Sequence, residues 1–153
     1  MDSVTIREAT VADLPSVLAL YAQSDVDAGD ALSAAEAEEI FARFKRYPDY
    51  RLYVAVNGGR VVGTFALLVI HNLAHRGSRS GLVEAVVVDG GLRRRGVGRQ
   101  MMTFALDRCR DAGCYKVALS SNLQRHAAHQ FYETLGFTRH GYSYVTDLSK
   151  ADP

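Results

Sequence analysis

The sequence predicts a mixed α/β fold, in which a central β-sheet of about six strands is flanked by four helices. Segments of alternating or continuous apolar residues mark the strands, and two of them flank Asn57-Gly58-Gly59, a strong hairpin signal. Four other segments carry apolar residues at helical spacing. The order β-α-α-β-β-β-α-β-α-β is typical of one mixed sheet with helices on its faces.

Turn and capping signals set the limits of each element. A capping pair, Thr10 with Asp13, opens the first helix, and Ser33 with Glu36 opens the second, which ends before Pro48. The predicted strands are 3–7, 52–56, 60–70, 82–88, 115–120 and 137–148. The predicted helices are 11–23, 34–47, 99–112 and 128–135, and loops fill 24–30 and 71–81.

The overall composition of the chain limits the classes of function that it can have. A chain of 153 residues suits one domain, residues 1–153, with a real hydrophobic core. Its 48% hydrophobic and 23% charged residues are ordinary for a globular protein. A net charge of +1 predicts neither a nucleic-acid nor a membrane partner. With neither a run of roughly 20 apolar residues nor a secretory signal pattern, the cytoplasm is the expected location.

The stretch "VVVDGGLRRRGVGRQMM", residues 86–102, joins an apolar strand to a helix through an arginine- and glycine-rich turn. The first amides of a helix have no internal partner, and the helix dipole adds positive potential there. Gly96 and Gly98 let an anion approach the backbone, and Arg93, Arg94, Arg95 and Arg99 supply positive charge. The turn therefore predicts a phosphate-binding site.

Three glycine-loop motifs compete for this turn. A P-loop needs a Lys-Ser/Thr pair, which is missing, and the dinucleotide fingerprint needs a small residue where Met101 stands. The spacing of Arg93, Gly96 and Gly98 instead resembles the acetyl-coenzyme A loop of the GNAT superfamily of N-acetyltransferases. The resemblance covers nearly the whole chain. It implies the GNAT fold and acetyl-CoA as cosubstrate, with pyrophosphate on the amides of 94–99, Val97 included, and pantetheine along the backbones of Val86, Val87 and Val88.

Two side chains are candidates for the chemistry. Glu84 is the one carboxylate inside an apolar strand, so it is either a general base, acting directly or through a water, or an acid bound to a structural partner. Tyr132 lies in "RHAAHQFYETLGF", which resembles the GNAT helix whose tyrosine protonates the coenzyme A sulfur, and a core position is the alternative. Peptide-acetylating members of the family carry other residues where this chain has Arg125, Ser120 and Ser121. These differences favour Glu84 as the general base.

The acceptor is expected to be a small primary amine, attacked in a ternary complex. The loop "SDVDAGD" brings Asp25, Asp27 and Asp30 to the segment that closes over the acceptor in GNAT proteins, although solvated surface is a strong alternative. Four basic side chains after the third strand could face an anionic group of the same substrate, namely His71, His75, Arg76 and Arg79. The histidine pairs lack a third ligand, so no metal is expected.

Several alternatives stay open from the sequence. The acyl donor could be another acyl-CoA, and the acceptor could be a peptide or protein. A non-catalytic acyl-CoA sensor is a rival of another class, and so is a basic nucleic-acid module, for which the charge cluster is short. Many GNAT proteins are homodimers, and the sequence leaves this chain's oligomeric state open.

Overall fold

A computed structural model describes residues 3–149, which fall into two compact units, one ending at Leu119 and one beginning at Ser120. The strands of the first unit are β1 (Thr5–Glu8), β2 (Tyr50–Asn57), β3 (Arg60–Ile70), β4 (Arg79–Val88) and β5 (Cys114–Ala118). Its α-helices are α1 (Leu14–Gln23), α2 (Ala34–Arg43) and α3 (Val97–Asp111). The second unit contains α4 (His126–Thr134). The predicted mixed α/β class and element order are confirmed up to α4.

The five strands form one sheet in the order β1-β2-β3-β4-β5. The first four are antiparallel, and the hairpin signal at Asn57-Gly58-Gly59 does join β2 to β3. Strand β5 is parallel to β4, because α3 carries the chain back along the sheet between them. β4 begins at Arg79, so residues 79–81, predicted as loop, are strand. The pairing of Ile70 with Ser80 across the β3–β4 turn extends the ladder by these residues.

Each face of the sheet packs against different helices. Leu52, Val54 and Ala66 pack with residues of α1 and α2 in one buried cluster. Met101, Met102, Ala105 and Cys109 form the buried side of α3. Two glycines let α3 approach the other face, since a Cβ would lie 2.6 Å from the Met101 sulfur at Gly63 and 2.5 Å from the Cys109 sulfur at Gly81.

The predicted Thr10–Asp13 cap is present and is joined by an arginine. The Asp13 carboxylate accepts hydrogen bonds from the Thr10 amide at 2.7 Å and from two Arg7 nitrogens at 2.7 and 2.9 Å. These contacts, with the Arg7 hydrogen bond first, lower the pKa of Asp13 to about 2 against the opposing effect of burial. The charged carboxylate therefore stabilises the junction between β1 and α1.

Replacing Asp13 with Asn is expected to destabilise the protein by about 1–2 kcal/mol at pH 7, a value reduced for the solvent exposure of Arg7. Because the folded-state pKa is depressed from 3.8 to about 2, the parent's advantage is present above pH 4 and is lost as the pH falls toward 2. Denaturant unfolding at several pH values measures it. Asp107→Asn, at an exposed pair with Arg110, is the control and should change little. A difference independent of pH would contradict this role for the charge.

The second unit corrects one sequence prediction. Residues 137–148 were expected to form a sixth strand, but no strand follows α4 in the part of the chain that the structure describes. Tyr142, Tyr144 and Val145 are about nine-tenths exposed, at 89%, 91% and 95%. Apolar alternation alone does not make a strand, because the backbone also needs a hydrogen-bonding neighbour.

Over residues 3–149, none of the helices combines the length and the apolar character that a transmembrane helix needs.

Candidate active site

Strands β4 and β5 separate halfway along the sheet. Their parallel pairing runs from Arg79 with Cys114 to Leu82 with Ala118 and then stops, while β4 continues to Val88. Backbone groups on the β5 side of residues 83–88 therefore have no strand partner among the described strands. A buried strand with free backbone groups can accept an extended ligand in the manner of an added strand.

The free part of β4 also carries a β-bulge. Thr64 pairs with Val87 and Ala66 pairs with Glu84, so Phe65 faces two residues, Ala85 and Val86. Ala85 has φ 50°, a left-handed conformation that costs a non-glycine residue roughly 1–2 kcal/mol. Such bulges redirect a strand and are common beside active sites.

Backbone directions at the end of β4 follow from two contacts. The Asp89 amide donates to the Val62 carbonyl at 2.8 Å, and the Val87 carbonyl lies 3.3 Å from the point where a Gly63 Cβ would be. Val87 therefore turns its polar groups toward β3. Because successive residues of a strand alternate, Val88 turns its N–H and C=O toward the open side.

The arginine–glycine turn leads from this open side into α3. Gly96 is the N-cap of α3 with φ 83°, and its carbonyl accepts from the Gln100 amide at 3.0 Å. The amides of Val97, Gly98 and Arg99 thus have no intrahelical acceptor. Within residues 3–149, the turn's exposed arginines form no ion pair; they are Arg93, Arg94, Arg95 and Arg99. These donors and charges form an anion site at the helix N-terminus.

Asp89 fixes the start of the same turn. Its carboxylate accepts from the Gly91 amide at 2.9 Å and pairs with Arg60 at 2.5 Å. Its carbonyl accepts from the Leu92 amide at 2.9 Å. The Asp89 carboxylate is therefore occupied by Arg60 and Gly91, and it forms no ion pair with the arginines of the turn.

Glu84 lies on the α1/α2 face of the sheet and is exposed there. Directly opposite residues of antiparallel strands share a face, and Glu84 pairs with Ala66, which pairs with Leu52 of the core. Val83 and Val87 on either side are buried. Glu84 is therefore open to solvent on this face although its neighbours along the strand are buried.

Two tyrosines that the sequence did not single out link Glu84 to the acidic loop. Burial, then Glu84, then Tyr47 raise the pKa of Tyr50. Burial first, then Tyr50 and Asp27, raise the pKa of Tyr21 to about 12, with the Thr64 hydroxyl opposing. Both side chains therefore remain neutral phenols near pH 7. Only the density of aromatic residues around Pro48 could have indicated this cluster from the sequence.

The three acids of the predicted acceptor loop differ in placement. Asp27 is partly buried, and its amide donates to the Tyr21 carbonyl at 3.2 Å. Asp25 and Asp30 are exposed. Asp27 is thus the acid of this loop that lies beside Tyr21.

The basic residues after β3 lie at the other end of β4 from the arginine–glycine turn. His75 stacks on Tyr115 with ring centroids 4.6 Å apart, and Arg76 has φ 61° in a short 3₁₀ turn. His71 and Arg76 are exposed. Arg79 alternates with Ser80 and Leu82, so it lies on the opposite face of the strand from Glu84.

Tyr132 belongs to the second unit, on α4. Burial raises the pKa of its hydroxyl, and Arg125 at the N-cap of the helix opposes this in part. Its ring packs against Phe131 and, edge to face, against Phe137, with centroids 5.2 and 5.8 Å away. The phenol stays protonated at neutral pH, as a proton donor must.

Comparisons with known proteins agree with this geometry. The model of the acetyltransferase (GNAT) family matches residues 16–137. The chain is 28% identical over 143 residues to the aminoalkylphosphonate N-acetyltransferase of Salmonella typhimurium, covering 94% of this chain and 90% of that protein. It is 36% identical over 90 residues to the glucosamine 6-phosphate N-acetyltransferase of Trypanosoma brucei brucei, a match that spans 59% of each chain.

The fold itself also has close counterparts among solved structures. The crystal structure of a transcriptional regulator from Bacillus halodurans C-125 superposes with a TM-score of 0.89 and 28% identity, covering 95% of this chain and all of that one. The family model covers most of the chain, including β4, the arginine–glycine turn and α4. On these grounds the chain belongs to the GNAT family of acetyltransferases.

Proposed function

We propose that this protein transfers the acetyl group of acetyl-CoA to the primary amine of a small molecule, by direct attack in a ternary complex. The observation that carries the proposal is the separation of β4 from β5 beyond Leu82, which leads directly into the arginine–glycine turn. One continuous segment thus offers free strand backbone for an extended arm and an anion site at its end. Acetyl-CoA has both chemical features, a pantetheine arm and a pyrophosphate.

The donor half of the site consists of backbone and arginines. The pyrophosphate would accept from the amides of Val97, Gly98 and Arg99, and the exposed arginines would neutralise it. The pantetheine arm would run along Val86, Val87 and Val88, whose side chains remain largely in the core. The Val88 N–H, which faces the open side, is the backbone donor best directed to polarise the thioester oxygen.

The acceptor half centres on Glu84. An attacking amine must lose its proton, and an exposed carboxylate inside the cleft can receive it directly or through a water. Attack forms the C–N bond, the thioester C–S bond breaks, and the thiolate takes a proton to leave as coenzyme A. Tyr132 would supply that proton, a role supported by its protonated hydroxyl and by its family motif.

The acceptor class is inferred from charge and from the relatives. Asp27 and Glu84 favour a cationic amine over a neutral one. The two curated relatives act, by their names, on an aminoalkylphosphonate and on glucosamine 6-phosphate, and both acceptors join an amine to a phosphorus-containing acid. A small phosphorylated or phosphonate-bearing amine is therefore the favoured acceptor, ahead of a peptide or protein amine. The cytoplasm remains the expected location of the protein.

Glu84→Gln is expected to lower kcat/KM for the amine on the order of tenfold at neutral pH, because a hydrogen bond to a charged group is lost. The loss should grow on the acid side of the profile, where the amine most needs a base. Rates measured between pH 6 and 9 test this, with Glu38→Gln on the exposed side of α2 as the control. A profile of unchanged shape and height would make Glu84 structural.

The proposed function is tested by thiol release from acetyl-CoA in a panel of amines. The panel should contain 2-aminoethylphosphonate, glucosamine 6-phosphate, polyamines and peptides, with Asp25→Asn and Asp27→Asn measured beside the parent. Release with small amines, reduced mainly by Asp27→Asn, is the expected result. Release with peptides alone would exclude the small-amine acceptor, and binding without any release would favour an acyl-CoA sensor.

A further inference from the structure

An aromatic cluster at the α2–β2 junction holds one phenol in a fixed place. Tyr50 stacks on Phe44 with ring centroids 4.3 Å apart and an angle of 12°. Tyr47 meets Tyr50 edge to face at 5.7 Å and 81°, and Phe41 packs against Phe44 at 5.8 Å. Two aromatic contacts therefore restrain the Tyr50 ring, so little side-chain entropy is lost when its hydroxyl binds a ligand.

The register of the sheet places Tyr50 and Glu84 on the same face. Tyr50 pairs with Leu68 of β3, and Leu68 pairs with Leu82 of β4. Glu84 lies two residues further along β4, where it pairs with Ala66. Tyr50 and Glu84 thus share the α1/α2 face, diagonally across β3. The carboxylate lies near enough to raise the pKa of the phenol, after the larger effect of burial.

Among the described residues, the Tyr50 hydroxyl and the Glu84 carboxylate form no hydrogen bond with each other. Tyr50 is half-buried, and Glu84 is exposed. Both oxygen sites can accept a hydrogen bond, and an ammonium group has three N–H donors. The two groups can therefore both accept hydrogen bonds from one primary ammonium, and the charge of Glu84 favours a cation over an anion.

We propose that Tyr50 is an acceptor-binding residue, whose hydroxyl accepts one N–H of the acceptor's ammonium while Glu84 accepts another, and whose ring lines the side of the acceptor cleft. This inference rests on the proposed function and assigns the residue that orients the amine. The deprotonating group remains Glu84. Tyr50 contributes a neutral hydrogen-bond acceptor in a fixed orientation. This orientation would limit the amine to an approach along β4 toward the open side.

Tyr50→Phe removes the hydroxyl and keeps the stack on Phe44. With 2-aminoethylphosphonate and glucosamine 6-phosphate as acceptors, we expect KM for the amine to rise about tenfold, because one hydrogen bond to a charged group is lost. The KM for acetyl-CoA should not change, and kcat should stay within about twofold, as for loss of uniform binding. Tyr47→Phe is the matched control, because it alters a neighbouring phenol in the same cluster. Equal acceptor KM values for the two variants would overturn the proposal.

A second readout does not depend on turnover. The protein is prepared with 3-fluorotyrosine, and the fluorine resonance of residue 50 is assigned by its absence in Tyr50→Phe. Adding 2-aminoethylphosphonate should shift this resonance, and Glu84→Gln should weaken the titration about tenfold or more. A resonance that does not respond to the amine overturns the assignment of Tyr50. Absence of acetylation by the parent, with the resonance responding, would instead reject the proposed function and leave the amine site standing.

Discussion

Tyr132→Phe is expected to lower kcat by roughly 100-fold, the lower end of what general acid catalysis contributes. The coenzyme A thiolate leaves less readily without a donor, whereas the phenylalanine ring preserves the packing on Phe131 and Phe137. The KM for acetyl-CoA should change little, because the hydroxyl would act on the leaving group in the transition state. Since burial raises the pKa of Tyr132, the parent should keep this contribution across the neutral range.

The measurement is a single-turnover rate, which reports the chemical step even where product release limits kcat. Tyr142→Phe is the control, because that hydroxyl belongs to the same unit and its residue is 89% exposed. A Tyr132→Phe protein with the parent's single-turnover rate would return Tyr132 to a packing role. Loss of folding is checked by the thermal midpoint, which should move by no more than a few degrees.

Gly98→Asp is expected to weaken acetyl-CoA binding on the order of 100-fold or more, because like charges placed together cost several kcal/mol. Gly98 lies in the first turn of α3, where its amide is one of the unpaired donors. A carboxylate at this position is favourable for the helix itself, so the variant should fold. The added charge would occupy the anion site and repel the pyrophosphate.

Gly98→Asn separates charge from bulk, since Asn has almost the same size as Asp. It should lose clearly less affinity than Gly98→Asp when both are compared by calorimetry with acetyl-CoA. The difference between them should shrink at high salt, because exposed charges are screened. Parent-like affinity in Gly98→Asp would remove the arginine–glycine turn from the cofactor site.

Local signals in the sequence predicted most of the first unit. The hairpin at Asn57-Gly58-Gly59, the capping box of Ser33 and the glycine turn before α3 are all present, because each depends on residues close together in the chain. The strand expected at 137–148 is absent from the described residues, because a strand also needs a neighbour that local alternation does not specify. The bulge at Ala85 is a similar case, since alanine gives no signal for a positive φ.

The residues of the candidate site also differ in whether local sequence signals or the fold identify them. Glu84 and the residues of the arginine–glycine turn are visible in the sequence as a lone acid in a strand and a basic turn at a helix start. Tyr50 could not be found in this way, because its relation to Glu84 depends on the register of three strands and on the stack with Phe44. The position of Arg79 depends on the strand in the same way, since alternation places it on the opposite face of β4 from Glu84.

Thiol release from acetyl-CoA in the presence of 2-aminoethylphosphonate or glucosamine 6-phosphate, with the acetylated amine identified by mass spectrometry, tests the central claim most directly. We expect saturable release that yields one acetyl amide per coenzyme A and that falls sharply in Gly98→Asp and Tyr132→Phe. Release at the same rate in the parent and in both variants, or no acetyl amide with any small amine, would contradict this claim.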